Sequence, residues 1–485
     1  MLTRRDYIYI TAFVFVFSVL AFFRLGNTYA PESFYMTDSQ NCDIVLDFGE
    51  YVDIATISVF LGNQNTRHFS ISAFNEVTGA WEIINGDAIA ESVFAWNTID
   101  LYYRLRYLGI VVTDESAMLN EMVFKKTDGN IILPLNYREY PALFDEQNMF
   151  PEVKTYLTGT MFDEVYHGRT AYEFLHNLTT YETTHPHLGK IIISLGIITF
   201  GMNPFGWRFM SVIFGILIIP LMYLFAKKLF DNSFIAAATT GLLVFDCMHY
   251  TLSRIATIDI FAAFFILLMY YFLYEYFLKD NSYRKAKTSF SDRIPPKDVL
   301  IPLALCGISM AFGVATKWTG VYAGLGLGIL FIWYTLTHFP KGQTLRLFCF
   351  CCVFFILIPL LVYTLCFIPV VGYTEYSGLI DKAIKGTQYM FNYHSTLVAE
   401  HYYSSPFYEW PVIWMPLLDA NDAVDSVRVS AVSCMGNPAI WWAGIFCEFY
   451  VLFRWIIKKD KKAGFLCIAY LAQYVPWMSI SRITF

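Results

Sequence analysis

Blocks of mainly apolar residues, each about 20 residues long, recur along this chain of 485 residues. A helix of that length rises about 30 Å, which is the thickness of the hydrocarbon core of a bilayer. Hydrophobic residues make up 56% of the sequence and aromatic residues 19%, more than in soluble globular proteins. The pattern therefore predicts a multi-pass α-helical membrane protein with about nine transmembrane helices. The predicted helices lie at 7–25, 207–226, 233–249, 255–278, 299–316, 320–337, 346–369, 438–457 and 463–480.

The basic residues predict the orientation of these helices. With a cytoplasmic N-terminus, every segment on the cytoplasmic side carries lysine or arginine, as the positive-inside rule requires. The run at 7–25 is long for the apolar region of a signal peptide, and no small-residue cleavage site follows it, so we expect it to be retained as the first helix. The basic segments are 1–6, the Lys227–Lys228 turn, 279–298, 338–347 and 454–462.

Residues 28–155 differ from the rest of the chain. Short runs alternate apolar and polar residues and are separated by Asn, Gly, Asp or Thr. Seven or eight runs of this kind predict a β-sandwich or jelly roll inserted after the first helix. We expect this domain to be extracytoplasmic, because open sheet edges are not tolerated in lipid.

Charge and cysteine usage exclude several classes of partner and site. The net charge is −6, there is no basic tail, and no Cys/His spacing of a zinc site occurs. We therefore expect no nucleic-acid partner and predict no metal-binding residues. Most of the ten cysteines lie in apolar segments, where cysteine acts as a small hydrophobe, so no disulfide framework is predicted.

The stretch 161–190 concentrates charged side chains directly before the main series of apolar segments. In one interpretation it is an ordinary solvated loop. In the other, Asp163 is a general base, and nearby cations bind an anionic leaving group. Neighbouring side chains point in different directions, so one of the two acids can face a substrate hydroxyl while the other pairs with a cation or caps a helix N-terminus. The charged and histidine residues of the stretch are Asp163, Glu164, His167, Arg169, His185, His187 and Lys190.

Further polar residues lie near the outer ends of the predicted helices. Lys190 would lie in the first turn of an interfacial helix at 188–201, where the helix dipole disfavours a cation. Its position therefore suggests an external anion such as a lipid phosphate. The alternative is a lysine whose side chain snorkels to the headgroups. Arg254 and Asp259 are five residues apart, too far round a helix for an ideal pair, so Asp259 is expected to have another partner or function. Each cation alone is explained by interfacial anchoring, but five on one outer face favour an anion site. Those five are Lys190, Arg208, Arg254, Lys317 and Arg482.

These residues lie in motifs that resemble one family, the protein O-mannosyltransferases. The resemblance covers about 1–27 and 156–485, in the family's order, and the HPHLGK motif departs from it by having His187 where a second proline is usual. The motifs are FDEVYHGRTAYEFL, HPHLGK, NPFGWRFMSVIFG, HYTLSRIATIDIF, ATKWTG, FNYHSTLVAEHYYSSPFYEWP and GNPAIWW.

The resemblance implies an integral-membrane (C-type) glycosyltransferase that moves mannose from polyprenyl-phosphate-mannose to a Ser/Thr hydroxyl of an exported protein, with inversion. Asp163 would be the catalytic base, supported by Glu164. It implies no cofactor, and the need for a divalent cation stays open. Its partners would be the lipid-linked donor, the protein acceptor and membrane lipids. Lys190, Arg208, Lys317 and Arg482 would bind the donor phosphate, and further site candidates are His167, His185, Arg254, Asp259, Tyr393 and His394.

The implied organisation has its active site on the extracytoplasmic side of the cell membrane. The second outer loop is too short for the β-trefoil repeats of the eukaryotic enzymes, which indicates a bacterial type. The family continues with more helices after the motif near Arg482, so the chain is expected to be truncated. The segments are a first helix (1–27), the sandwich (28–155), a catalytic outer loop with an interfacial helix (156–206), a transmembrane bundle (207–370), a second outer loop (371–437) and C-terminal helices (438–485).

Several alternatives stay open at this point. The sandwich resembles galactose-binding-like domains, and sugar or cell-wall binding, packing and acceptor docking are all compatible with it. The enzyme could instead move another lipid-linked sugar onto lipid A or a wall polymer. A transporter or receptor with the sandwich as its binding module is the alternative from a different class, but the inverted repeats and broken helices of a transporter are not found.

Overall fold

The computed structural model describes residues 2–37, 43–63, 66–113, 116–286, 295–338, 341–372, 376–397 and 404–478. A sheet domain follows the first helix, and a helical bundle forms the remainder. The helices are α1 (Arg4–Phe22), α2 (Glu164–His176), α3 (Leu188–Phe200), α4 (Pro204–Phe230), α5 (Ser233–Val244), α6 (Cys247–Leu252), α7 (Asp259–Ala286), α8 (Lys297–Thr316), α9 (Thr319–His338), α10 (Lys341–Cys352), α11 (Ile358–Leu365), α12 (Leu379–Thr396), α13 (Pro438–Lys458) and α14 (Lys461–Met478). The strands are β1 (Tyr35–Met36), β2 (Asp43–Leu61), β3 (Arg67–Asn75), β4 (Ala80–Ala90), β5 (Ala95–Val112), β6 (Met118–Lys126), β7 (Ile131–Ile132), β8 (Leu417–Ala423) and β9 (Val429–Cys434).

Seven helices among the described residues are long and apolar enough to cross a bilayer. The prediction of a multi-pass helical membrane protein is confirmed. A π-helical turn at Val353–Leu357 joins α10 to α11, so these two helices form one span. The seven spans are Arg4–Phe22, Pro204–Phe230, Asp259–Lys285, Lys297–Thr316, Thr319–His338, Leu345–Leu365 and Pro438–Lys458.

The predicted segment 233–249 is interrupted, and its contacts favour a crossing by two helices in succession. The side chain of Asp246 caps the start of α6, so α5 ends after 12 residues. Before α5, Tyr223 in the last third of α4 donates a hydrogen bond to Asp6 at the start of α1 (2.7 Å). After α6, Arg254 reaches the carbonyl oxygens of Phe23 and Arg24 at the other end of α1 (2.8 and 2.7 Å). The chain therefore passes from one end of α1 to the other between these residues.

Helix α14 also runs between the two ends of the bundle. Lys462 near its start donates to the carbonyl oxygen of Leu229, at the end of α4 (2.6 Å). Tyr474 near its end donates to the carbonyl oxygen of Phe407, in the segment between α12 and β8 (2.8 Å). These contacts favour the predicted count of nine crossings, which stays a prediction.

The domain after α1 is one antiparallel sheet of seven strands, in the order β1-β6-β2-β5-β3-β4, with β7 paired to β6. Strands β2 and β5 are 19 and 18 residues long, and bulges interrupt their pairing. Because bulges bend strands and increase their twist, the sheet curls around its own apolar core. The predicted sandwich is therefore found only in part, as a curled sheet and not as two separate sheets.

The sheet domain shares a hydrophobic core with α2 and α3. Phe60, Trp96 and Val123 of the sheet lie in the same buried cluster as Ala171 of α2 and Ile193 of α3. Polar contacts reinforce this junction, since Arg169 on α2 donates to the side chain of Asn63 in the loop after β2 (3.1 Å). The sheet domain is thus built into the bundle and is not a module on a linker.

We expect Trp96→Ala to destabilise the bundle as well as the sheet, because it removes a large side chain from this shared core. The cost should be about 3–5 kcal/mol, measured as a lower unfolding temperature of the detergent-solubilised protein. Tyr102→Ala, on the same strand but 71% exposed, is the control and should change the unfolding temperature little. An equally small effect of both substitutions would contradict the shared core.

Candidate active site

The acidic pair lies where α2 begins. Phe162 has a φ of 48°, in the left-handed region that bulky residues rarely adopt. Asp163 follows as the residue before α2, and its backbone carbonyl accepts hydrogen bonds from the amides of Tyr166 and His167 (both 3.1 Å). Its half-buried side chain makes no capping hydrogen bond to the helix.

Glu164 is fully buried and forms a two-point ion pair with Arg208 of α4. Nε of Arg208 lies 2.7 Å from Oε1 and Nη2 lies 2.7 Å from Oε2. The same carboxylate accepts hydrogen bonds from the amides of Met161 and Ala256 (both 2.9 Å) and from the indole of Trp207 (3.3 Å). One of the two acids was predicted to pair with a cation or to cap a helix, and the structure shows Glu164 paired with Arg208. This carboxylate has no remaining position for a substrate.

Arg208 does not fit its predicted part in binding the donor phosphate. It is fully buried, and its remaining N–H groups donate to the carbonyl oxygens of Leu25 (2.9 Å), Tyr156 (2.7 Å) and Gly159 (3.0 Å). All five guanidinium N–H groups thus have partners within the chain. The reason is that the loop before α2 folds over the start of α4 and supplies the acceptors. Arg208 instead holds Glu164.

Lys190 is likewise buried, and its ammonium group has partners within the chain. Its ammonium group pairs with the carboxylate of Glu182 and donates to the carbonyl oxygens of Glu182 and His185 (2.9 and 3.0 Å). Burial alone would raise the pKa of Glu182, but the charge of Lys190 holds it well below its usual range. The phosphate-binding prediction for Lys190 is therefore also unsupported, since the loop 177–187 supplies its anion. Glu182 was missed in the sequence, although it lies only eight residues before Lys190.

Three histidines, from α2, the loop before α3 and α12, lie near one another. His167 of α2 is buried, and burial lowers its pKa to about 3, so its ring is neutral. Its Nδ1 has no hydrogen-bond partner among the described residues. The ring of His185 lies 6.0 Å from that of His167 and 5.0 Å from that of His394. Nε2 of His394 lies 2.8 Å from the carbonyl oxygen of Thr184, so α12 is held against the loop that precedes α3.

Lys317 remains a partly accessible cation of the site. It ends α8, and its Nζ lies 2.6 Å from Oδ1 of Asp259 at the start of α7. The prediction that Asp259 has a partner other than Arg254 is confirmed. The side chains are 27% and 42% exposed, so a ligand can reach both. Trp318, the residue after Lys317, lines a cavity of about 520 Å³ together with Thr387, Gln388, Phe391 and Asn392 of α12.

The other predicted residues take different positions. Arg254 binds backbone carbonyls at the end of α1, as described above, and so has a structural part. Tyr393 is half-buried on α12, next to His394. Arg482 lies outside the described residues. Among the described residues, the acidic side chains close enough to share a metal ion are Glu121, Asp145 and Glu146 of the sheet domain, and these lie apart from the acidic pair in sequence and domain.

Two sequence models of protein families match the chain. One, described as dolichyl-phosphate-mannose-protein mannosyltransferase, matches residues 197–371, and the other, described as the C-terminal four-TMM region of protein-O-mannosyltransferase, matches residues 379–485. Together they cover more than half of the chain. The chain belongs to the protein O-mannosyltransferase family. The resemblance drawn from the sequence motifs is thereby confirmed. Asp163 and Glu164 precede both matched ranges, so their roles stay predictions.

Curated relatives agree with the family models. The polyprenol-phosphate-mannose–protein mannosyltransferase of Mycolicibacterium smegmatis is 25% identical over 372 residues, which are 66% of this chain and 71% of the relative. The enzyme of the same name from Mycobacterium tuberculosis is 24% identical over 379 residues, with coverages of 66% and 70%. Both are bacterial, as predicted. Among solved structures, ArnT from Cupriavidus metallidurans bound to undecaprenyl phosphate has a TM-score of 0.43 and 18% identity, covering 66% of this chain and 51% of that chain.

We expect Glu164→Ala to destabilise this mannosyltransferase-family protein by about 3–5 kcal/mol, because it leaves the Arg208 guanidinium buried without its anion. Thermal unfolding in detergent measures the loss. The matched control is Asp425→Ala, which breaks the exposed Asp425–Arg428 pair and should cost about 1 kcal/mol or less. Similar losses for both variants would show that the Glu164–Arg208 pair does not anchor the site.

Proposed function

We propose that this chain is an inverting glycosyltransferase that moves mannose from a polyprenyl-phosphate-mannose donor to a Ser/Thr hydroxyl of an exported protein. Family membership supports the reaction class, and the names of the mycobacterial relatives support the donor and the acceptor. The observation that supports Asp163 as the base is the difference between the two members of the acidic pair. Glu164 is saturated by protein donors, so Asp163 is the member placed to act on a substrate.

Asp163 removes the proton from the acceptor hydroxyl. As the O–H bond breaks, the hydroxyl oxygen attacks the anomeric carbon of mannose from the face opposite to the phosphate. The bond between that carbon and the phosphate oxygen breaks, and the polyprenyl phosphate leaves with the electron pair. A positioned carboxylate base contributes about 10²–10⁴-fold to such a step. A single displacement inverts the configuration at the anomeric carbon.

Lys317 neutralises the phosphate that leaves. Its ammonium group is partly exposed and already pairs with one carboxylate, Asp259, so it can share its three donors with a second anion. Trp318, the next residue along the chain, lines a cavity, and in this proposal the lipid phosphate approaches Lys317 from there.

The site lies on the extracytoplasmic side in this proposal. Asp163, Arg254 and Lys317 belong to the end of the bundle where α1 ends, whereas Asp6 and Lys227 belong to the end where α1 begins. The basic segments predicted to be cytoplasmic lie at the latter end. No nucleotide-sugar pool is available outside the cytoplasm, which fits a donor delivered by the membrane.

Asp163→Asn should abolish mannosyl transfer, because an amide cannot take up the hydroxyl proton. The assay measures transfer from polyprenyl-phosphate-mannose to a Ser/Thr-rich peptide in membranes. An unfolding temperature close to that of the wild type should show that the variant is folded. Turnover at the wild-type rate in this variant would remove Asp163 as the base.

Lys317→Gln should raise the KM for the donor about 10–100-fold, the value of one hydrogen bond to a charged group, and should leave the KM for the peptide unchanged. Lys385→Gln removes a cation from the exposed Asp381–Lys385 pair of α12 and serves as the control. If Lys317→Gln and Lys385→Gln had the same donor KM, the phosphate would bind elsewhere.

A further inference from the structure

Asp419 is a buried carboxylate in the second outer loop that the mechanism above does not use. It belongs to β8, which pairs with β9 in a hairpin. Leu418 pairs with Ser433 and Ala420 pairs with Val432, so Asp419 is the extra residue of a β-bulge. Bulges re-aim a side chain and are frequent beside active sites. Of the seven residues of β8, Asp419 is the one whose side chain is buried, at 7% exposure.

The carboxylate of Asp419 is incompletely satisfied. Its Oδ2 is buried and has no hydrogen-bond partner among the described residues. An unpartnered charged oxygen in a buried position is costly, and natural proteins retain few of them. A ligand that donates a hydrogen bond would satisfy it.

The hairpin is fixed to the elements that carry the acidic pair. On β8, Asp422 accepts a hydrogen bond from the amide of Tyr156 (2.9 Å), and the carbonyl of Tyr156 accepts one from Arg208 (2.7 Å). On β9, the carbonyl of Ser433 accepts a hydrogen bond from Thr251 of α6 (3.3 Å). The hairpin therefore lies over the loop that leads into Asp163.

The electrostatics agree with this placement. Burial raises the pKa of Asp419 to about 7, and the charges of Glu164 and then Asp163 add to the effect. The titratable group facing it within the hairpin is the thiol of Cys434, whose pKa is raised by burial and by the charge of Asp419. Asp419 and the acidic pair are therefore close enough to influence one another's charge.

We propose that Asp419 binds a hydroxyl group of a substrate through its unpartnered Oδ2 and holds that substrate beside Asp163. The inference rests on the proposed function and adds a residue to its site. The hydroxyl belongs either to the mannosyl group of the donor or to the Ser/Thr side chain of the acceptor. A phosphate is unsuited to this position, because the carboxylates of Asp419 and Asp163 would repel it.

Steady-state kinetics of Asp419→Ala test the proposal, with each substrate varied while the other is saturating. The KM of one substrate should rise about 10–100-fold, as expected for the loss of a hydrogen bond to a charged group. The KM of the other substrate should stay within about twofold, and the substrate affected identifies the source of the hydroxyl. Asp425→Asn removes the same charge from the exposed turn of the hairpin and should retain both wild-type KM values.

The pH dependence gives a second readout. Because the ionised carboxylate is the better acceptor, the affected KM of the wild type should fall as the pH rises through about 7. In Asp419→Asn, whose amide oxygen still accepts a hydrogen bond, this KM should lie between those of the wild type and Asp419→Ala and should not change with pH in that range.

Two outcomes would overturn the proposal while the proposed function stands. One is an Asp419→Ala variant with both KM values and the pH profile of the wild type. The other is a variant whose kcat alone falls together with its unfolding temperature, which would make Asp419 structural. Titration of the purified proteins with polyprenyl-phosphate-mannose and with the peptide distinguishes a failure of the proposed function from a failure of the role of Asp419. If neither probe binds the wild type, the proposed function fails, whereas equal binding to wild type and Asp419→Ala excludes the role of Asp419 alone.

Discussion

The buried pair between Glu164 and Arg208 is the interaction on which the geometry of the site depends. It joins the start of α2 to α4, and through Arg208 it also holds the end of α1 and the loop at 156–159. Removing two charges from water is expensive, so a pair of this kind is a poor source of stability unless every donor and acceptor is used. Here all of them are used. The pair thereby restrains the backbone at the start of α2, where Asp163 directly precedes Glu164.

The sequence predicted the features that the membrane itself enforces. A bilayer requires spans of about 20 apolar residues, so block length identified the helices without knowledge of their packing. It could not predict that Asp246 would end α5 early, because an aspartate between apolar residues is compatible with several local structures. Alternation in 28–155 likewise predicted strands. It could not predict a single curled sheet, since bulges in β2 and β5 produce the curl and leave no distinct pattern in the sequence.

The structure brings several predicted site residues together, but it gives Arg208 and Lys190 partners within the chain that the sequence did not indicate. Spacing along the chain locates a cation near the outer ends of the helices, but it does not say whether an anion of the same protein reaches that cation first. Glu164 reaches Arg208 from α2, and Glu182 reaches Lys190 from the next loop. Both partnerships depend on how loops fold back, which no helical period encodes. Asp419 was missed for a related reason: a bulge, and not its residue type, distinguishes it from Asp422 and Asp425 nearby.

Arg208 and Lys190 form ion pairs within the protein, and this affects how such an enzyme binds its donor. If Arg208 and Lys190 serve the fold, the phosphate meets few free positive charges, and Lys317 shares its charge with Asp259. A soluble sugar phosphate would then bind weakly. A lipid-linked donor is confined to the bilayer, which raises its effective concentration at the site without any new contact. Strong phosphate binding would also oppose release of the polyprenyl phosphate after transfer. A modest phosphate site combined with a membrane-anchored donor therefore suits repeated turnover better than the ring of cations that the sequence suggested.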